Sequence, residues 1–245
     1  MEKKNCYKTV FISDIHLWNP KNIANKLLEF LKSVTTEHLI ICWDFIDFWQ
    51  LRWFWKWTQK ESKLLEYINQ LSKSWVKVTY IQGNHDNKIT CSKDIHLEWF
   101  SILRELFYTT WKNQKFYITH WDCFDWITSH CARFSQFCNR FYGLTLKLEK
   151  LREDPHKTKQ HISIVDKIEI FIERHRHNNR KILKQIFNLA NQLNCDWIIM
   201  WHYHCPMHLT RDKIEYYNTW DWLHTWSALV ENLEGNLELL FLNEN

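Results

Sequence analysis

Residues able to bind cations or move protons recur in short clusters along this chain. They are Asp14-Ile15-His16, Asp44 with Asp47, Asn84-His85-Asp86, His120 with Asp122, and His202-Tyr203-His204. Each cluster follows a short apolar run, so each falls where a buried strand would end. Asp and His at i and i+2 of an extended segment point the same way, so Asp14 with His16, and His202 with His204, can face one cation. This is not the i, i+4 spacing of a helical zinc site. Taken singly, Asp44 is an ordinary N-cap or loop acid and any one histidine is structural. An ionised carboxylate at the end of a buried strand is nonetheless costly unless a cation or hydrogen bonds offset it. Collected in order, Asp14, His16, Asp44, Asn84, His120, His202 and His204 make seven oxygen and imidazole donors. That is more than one tetrahedral zinc takes, and it suits two adjacent divalent ions sharing a bridging carboxylate. Two ions about 3.5–4 Å apart can hold a hydroxide between them and clamp a phosphoryl group for in-line displacement.

The elements that must position these residues are legible as periodicity. Strand-like runs cover 7–13, 39–42, 76–81, 115–119 and 197–200. Residues 21–34 carry Ile23, Leu27, Leu28 and Leu31 on one helical side, and a second helix is expected near 60–74, after a basic, aromatic linker over 52–60. The β-α-β-α-β rhythm predicts an α/β sheet with its site along the carboxyl edge of the strands. A hairpin is expected over 102–119. From about 126 to 195 the texture changes to Lys, Arg, His and Phe at helical spacing, a helical insertion within a single domain spanning 1–245. Its apolar face includes Phe134, Phe137, Phe141, Leu144, Leu146 and Leu148. That face either packs on the core or caps a lipid-bearing substrate at a membrane surface. Residues 207–242 read as short antiparallel strands with a turn near Glu234-Gly235.

Composition narrows the function classes. A formal net charge of +4 over 245 residues is too mild to imply nucleic acid. The basic residues of the insertion also form no aromatic-interleaved platform, so a nucleic-acid partner is not expected. Eight cysteines without a CxxC pair suggest reduced thiols. No signal-like stretch or membrane-length run is present, and a cytoplasmic location is expected.

Glycine is the anomaly. The chain has 3 Gly and 16 Trp, whereas about 7% Gly is usual. Several Trp occupy positions that suit Gly: Trp75 at a helix C-terminus, Trp111 at a hairpin turn that calls for positive φ, and Trp43, Trp121, Trp201 and Trp220 beside cation-binding candidates. The codon UGA is read as tryptophan in some genetic codes and as glycine in others. Many of these Trp are therefore expected to stand for Gly, with Trp222 a genuine tryptophan. A literal Trp at 43, 121 and 201 would crowd turns that must bring donors within about 2.0–2.2 Å of metal.

The motifs SDIH, WDFID, GNHD, THWD and WHYH together resemble the calcineurin-like metallophosphoesterase pattern D-x-H, G-D-x-x-D, G-N-H-D, H-G-D and G-H-x-H. With Gly restored, GDFIDFW, NTGDW and the insertion after THWD are similar in particular to bacterial UDP-2,3-diacylglucosamine pyrophosphatases. The resemblance covers nearly the whole chain. It implies a four-layer α/β/β/α sandwich with a helical cap. It makes Asp14, His16, Asp44 and His204 ligands of one metal and Asp44, Asn84, His120 and His202 ligands of the other, with Asp44 bridging. His85 matches the residue that stabilises the transition state or protonates the leaving group. Asp47, Asp86 and Asp122 become acceptors that orient histidines, and Asp221 and Trp222 become candidates for one rim of the site. Two Mn²⁺ are the expected ions. The implied reaction splits UDP-2,3-diacylglucosamine into UMP and 2,3-diacylglucosamine 1-phosphate, with peripheral membrane contact through the cap. The rivals are a hydrolase of another nucleotide or phosphodiester with the same centre, and a metal-binding scaffold without catalysis.

Overall fold

The computed structural model describes residues 4–17, 23–46, 58–83, 86, 101–120, 180–201, 207–218, 222 and 226–242. Its first strand, β1 (Asn5–Ser13), runs into α1 (Ile23–Ser33), β2 (Val34–Cys42), α2 (Gln59–Lys73) and β3 (Lys77–Ile81). A short β4 (Ser101–Leu103) precedes the hairpin of β5 (Glu105–Thr109) and β6 (Lys115–His120). Then come α3 (Arg180–Leu193), β7 (Trp197–Trp201), β8 (Met207–Arg211), β9 (Ile214–Asn218), β10 (Ser227–Glu231) and β11 (Leu237–Phe241). The strands form two sheets, one in the order β11-β10-β1-β2-β3-β4 and the other β5-β6-β7-β9-β8.

The side-chain period of two sorts each central strand between two apolar layers. In β1 and β2, Val10, Ile12, Leu39 and Ile41 face α1 and α2, while Phe11, Ile40 and Cys42 face the second sheet. In β6 and β7, Phe116, Ile118, Trp197 and Ile199 meet that inner layer, and Tyr117, Ile198 and Met200 meet α3. Helix, sheet, sheet and helix thus stack as the expected four layers. Helix α1 buries Ile23, Leu27, Phe30 and Leu31 at helical spacing on one face. Helix α2 opens with a capping box, Thr58 accepting from the chain and Glu61 reaching back to it. Helix α3 ends the stretch assigned to the insertion. It buries Ile186, Phe187 and Ala190 against the second sheet and so is a layer of the sandwich. The face built from Phe134 to Leu148 lies outside the described residues.

Two expectations change. Ile102 lies in β4, which pairs in parallel with β3 of the first sheet, so the hairpin begins only at Glu105. In its turn, Trp111 does not take positive φ; Asn113 does, at 59°. The Asn113 amide donates to the Thr110 carbonyl, and asparagine tolerates the left-handed region that a tryptophan resists.

Candidate metal centre

Register decides where the cation-binding residues arrive. Ser13 pairs with Cys42 and Cys42 with Ile81, so β1, β2 and β3 end side by side. In the second sheet His120 pairs with Trp201, so β6 and β7 also end together. The chain beyond each strand is tied to its neighbour. His16 N–H donates to the Asp44 carbonyl at 2.9 Å, Leu17 N–H to that of Phe45 at 2.9 Å, and Trp43 N–H to that of Ile81 at 2.6 Å.

At this shared edge Asp14, His16 and Asp44 are buried, with ligand atoms all within 4.8 Å of one another. His120 arrives from the other sheet, its Nε2 3.6 Å from Asp44 Oδ2. The His16 Nε2 lies 3.9 Å from Asp14 Oδ1. Two carboxylates withdrawn from water at such close range repel each other unless positive charge lies between them. Oxygen and imidazole donors together suit a hard or borderline divalent ion, so the residues present fit a metal. Asp14, His16 and Asp44 hold φ of 52°, 44° and 48°, and strain of this kind is found where side chains must be aimed.

Two close approaches complete the corner. A Cβ on Gly83 would lie 2.3 Å from Asp44 Oδ1, so only glycine lets the β3 end pack against that carboxylate. The indole of Trp43 is fully buried; its N–H donates to Asp14 Oδ2 at 3.1 Å, and its ring centroid lies 5.9 Å from that of His120.

Among the described residues Asp86 ties two loops together. Its carboxylate accepts from the Phe45 N–H at 3.1 Å, the Gly83 N–H at 2.6 Å and the Tyr80 hydroxyl, rather than from a described histidine. It thereby pins the loop carrying Asp44 to the end of β3. Burial, and after it the Asp44 charge, push the Asp86 carboxyl up to about 7. Tyr80 was invisible as a site residue because a tyrosine inside a buried strand ordinarily signals packing alone. Trp222, a rim candidate, packs in the apolar layer under α1, 5.6 Å from the Phe30 ring. Asp47, Asn84, His85, Asp122, His202, His204 and Asp221 lie outside the described residues.

The profile of the calcineurin-like phosphoesterases matches residues 7–230. The chain belongs to this family. As such it is a metal-dependent phosphoesterase, and the edge cluster is a candidate group for holding its metal. Among solved structures, an archaeal phosphodiesterase is 15% identical, covering 96% of this chain and 99% of its own, with a TM-score of 0.46. A Streptococcus pneumoniae protein described as a predicted phosphoesterase is 12% identical, with 96% and 97% covered and a TM-score of 0.39. Vacuolar protein sorting 29 from Cryptosporidium parvum is 11% identical, with 95% of each chain covered and a TM-score of 0.43. No curated protein sequence matches the chain. Among the described residues no helix is long and apolar enough to cross a membrane, and Cys6, Cys42 and Cys195 are free thiols.

Proposed function

We propose that this phosphoesterase hydrolyses the pyrophosphate of UDP-2,3-diacylglucosamine, yielding UMP and 2,3-diacylglucosamine 1-phosphate. The observation that carries the hydrolytic part is the convergence of Asp14, His16 and Asp44 from one sheet with His120 from the other. The substrate rests on the likeness of the Gly-restored motifs and of the insertion to the UDP-2,3-diacylglucosamine pyrophosphatases. On this reading Asn84, His202 and His204 complete two sites that share Asp44, and Mn²⁺ fills both. When bound, such a pair supplies a hydroxide nucleophile at neutral pH and neutralises charge on the phosphoryl group. Asp44 holds the centre together from the first sheet, and His120 anchors it from the second. His85 stabilises charge on the phosphoryl oxygens or hands a proton to the departing oxygen. Asp86 holds the Asp44 loop in place through Phe45 and Gly83. The apolar and basic stretch between Phe134 and Leu148 receives the acyl chains, and with them the membrane surface.

The test is Mn²⁺-dependent turnover on UDP-2,3-diacylglucosamine beside a chromogenic phosphodiester. Preferential cleavage of the lipid nucleotide, with UMP as a product, is expected. Cleavage of the chromogenic diester alone would replace this substrate with a soluble one. Two bound metals without turnover on either would make the protein a scaffold.

A further inference from the structure

Five of the described tryptophans divide sharply. Trp197 and Trp222 have ordinary backbone and serve their aromatic bulk: Trp197 stacks on Phe116 and Tyr217 at centroid distances of 4.9 and 5.0 Å, and Trp222 packs on Phe30. Trp43, Trp75 and Trp226 instead take left-handed backbone, with φ of 36°, 75° and 47°. The other non-glycine residues there are Asp14, His16, Asp44, Asn113, Asn194, Asp212 and Lys213, mostly Asp, Asn and His, whose short polar side chains tolerate it. A bulky aromatic gains nothing to offset that conformation unless its ring is needed.

At Trp75 the ring is not needed. Trp75 follows the C-cap of α2 and is 98% exposed. Around it the Val76 N–H donates to the Leu71 carbonyl at 3.2 Å and the Ser74 N–H to that of Gln70 at 3.1 Å. Leu71 and Val76 both pack against the same apolar cluster. The Val76-to-Leu71 bond is the six-to-one closure of a Schellman helix end, whose left-handed residue is usually glycine. At Trp43 the ring is buried at the margin of the inner apolar layer, where it also crowds the candidate metal site. It reaches Asp14 of one sheet and His120 of the other, and its Cβ lies 2.8 Å from where a Cβ on Gly83 would stand.

We infer that positions 43 and 75 are glycine positions, filled by glycine in the protein as its own cell makes it, and that an indole at 43 plugs the metal centre. The plug rests on the metal-centre reading above; the glycine assignment does not. An Asp14 oxygen engaged by the indole N–H is withdrawn from a cation, and the ring fills space between Asp14 and His120 that a second ion needs. A UGA codon translated as tryptophan instead of glycine accounts for both positions at once, and for 16 Trp beside 3 Gly.

Peptide mass spectrometry of the protein isolated from cells that carry its gene is the direct test. Peptides spanning 43 and 75 with the mass of glycine are expected; tryptophan at both would overturn the assignment. The plug is tested on recombinant chains by Mn²⁺ titration calorimetry and metal analysis after gel filtration. Trp43→Gly should bind more Mn²⁺ per chain than the sequence as written, with affinity raised at least tenfold. Equal or weaker binding by Trp43→Gly overturns the plug. Absence of Mn²⁺ and Zn²⁺ from both chains overturns the plug and the metal-centre reading together. In that case Trp75→Gly, far from the centre, still decides the glycine assignment: a raised melting temperature supports it and a lowered one refutes it. As a control, Trp222→Gly should lower the melting temperature.

Discussion

At the scale of single residues, the described candidates at strand ends are legible in the sequence, whereas a residue that acts from within a strand is not. Asp14, His16, Asp44 and His120 announce themselves because acids and imidazoles after apolar runs need a reason. His38 carries no such mark. It lies inside β2, where its Nε2 pairs with the Thr79 hydroxyl at 2.9 Å and its ring lies near Tyr108. Burial, and then the Lys77 charge, lower it to about 4 from an ordinary value of 6.5. The unfolded chain therefore takes up a proton near pH 6.5 while the folded chain refuses it until about pH 4. Stability is fully present above pH 6.5 and falls as the pH drops through this window, by up to about 3 kcal/mol. Urea unfolding at a series of pH values should show that fall in the parent chain and a shallower one in His38→Gln, whose amide keeps a partner for Thr79. Equal slopes in the two proteins would remove His38 as the cause.

At the scale of elements, periodicity placed α1 and α2 to within two residues of their ends and placed the strand ends that carry the candidate site, because one buried face imposes one repeat. Turns were harder. The hairpin turn was expected to put positive φ on Trp111, but hydrogen bonds between Thr110, Asn113 and Gln114 shift it to Asn113. β4 is not separable from the hairpin in the sequence, because three residues carry too little alternation to reveal a separate partner. The end of α2 is where local chemistry and backbone disagree most openly. A left-handed tryptophan costs roughly 1–2 kcal/mol relative to glycine, and an exposed ring returns almost nothing. Trp75→Gly should therefore stabilise the protein by about 1 kcal/mol, raising the melting temperature by about 2–4 °C for a domain of this size. Calorimetric scans of the two proteins measure it directly.

At the scale of the whole molecule, the candidate metal centre draws on two sheets that share no strand. Asp14, His16 and Asp44 belong to one and His120 to the other, so the sheets' relative placement sets the distance across the site. The inner apolar layer, from Phe11 and Ile40 to Phe116 and Ile199, joins the two sheets face to face. At the opposite edge a polar clamp adds to it. Glu231, at the end of β10 and fully buried, accepts from the Tyr108 hydroxyl of the second sheet and from the Trp111 N–H at 2.7 Å. The Tyr108 hydroxyl also meets Thr9 Oγ1 at 2.5 Å, and its ring lies edge-on to Phe11 at 5.4 Å. Burial and the bond to Glu231 raise the Tyr108 pKa, so it remains a donor throughout the working pH range. No sequence pattern pairs residues 108 and 231, because their meeting is set by how the sheets stack. A hydrogen bond to a buried charge is worth about 1.5–3 kcal/mol, so Tyr108→Phe should lower unfolding stability by that amount. The centre lies at the far edge and the inner layer is untouched, so Mn²⁺ affinity should change less than threefold, within about 0.6 kcal/mol. Urea unfolding and Mn²⁺ titration of the same variant separate the two effects. A fall in affinity that matches the fall in stability would mean that the clamp, rather than the apolar layer, holds His120 opposite Asp44.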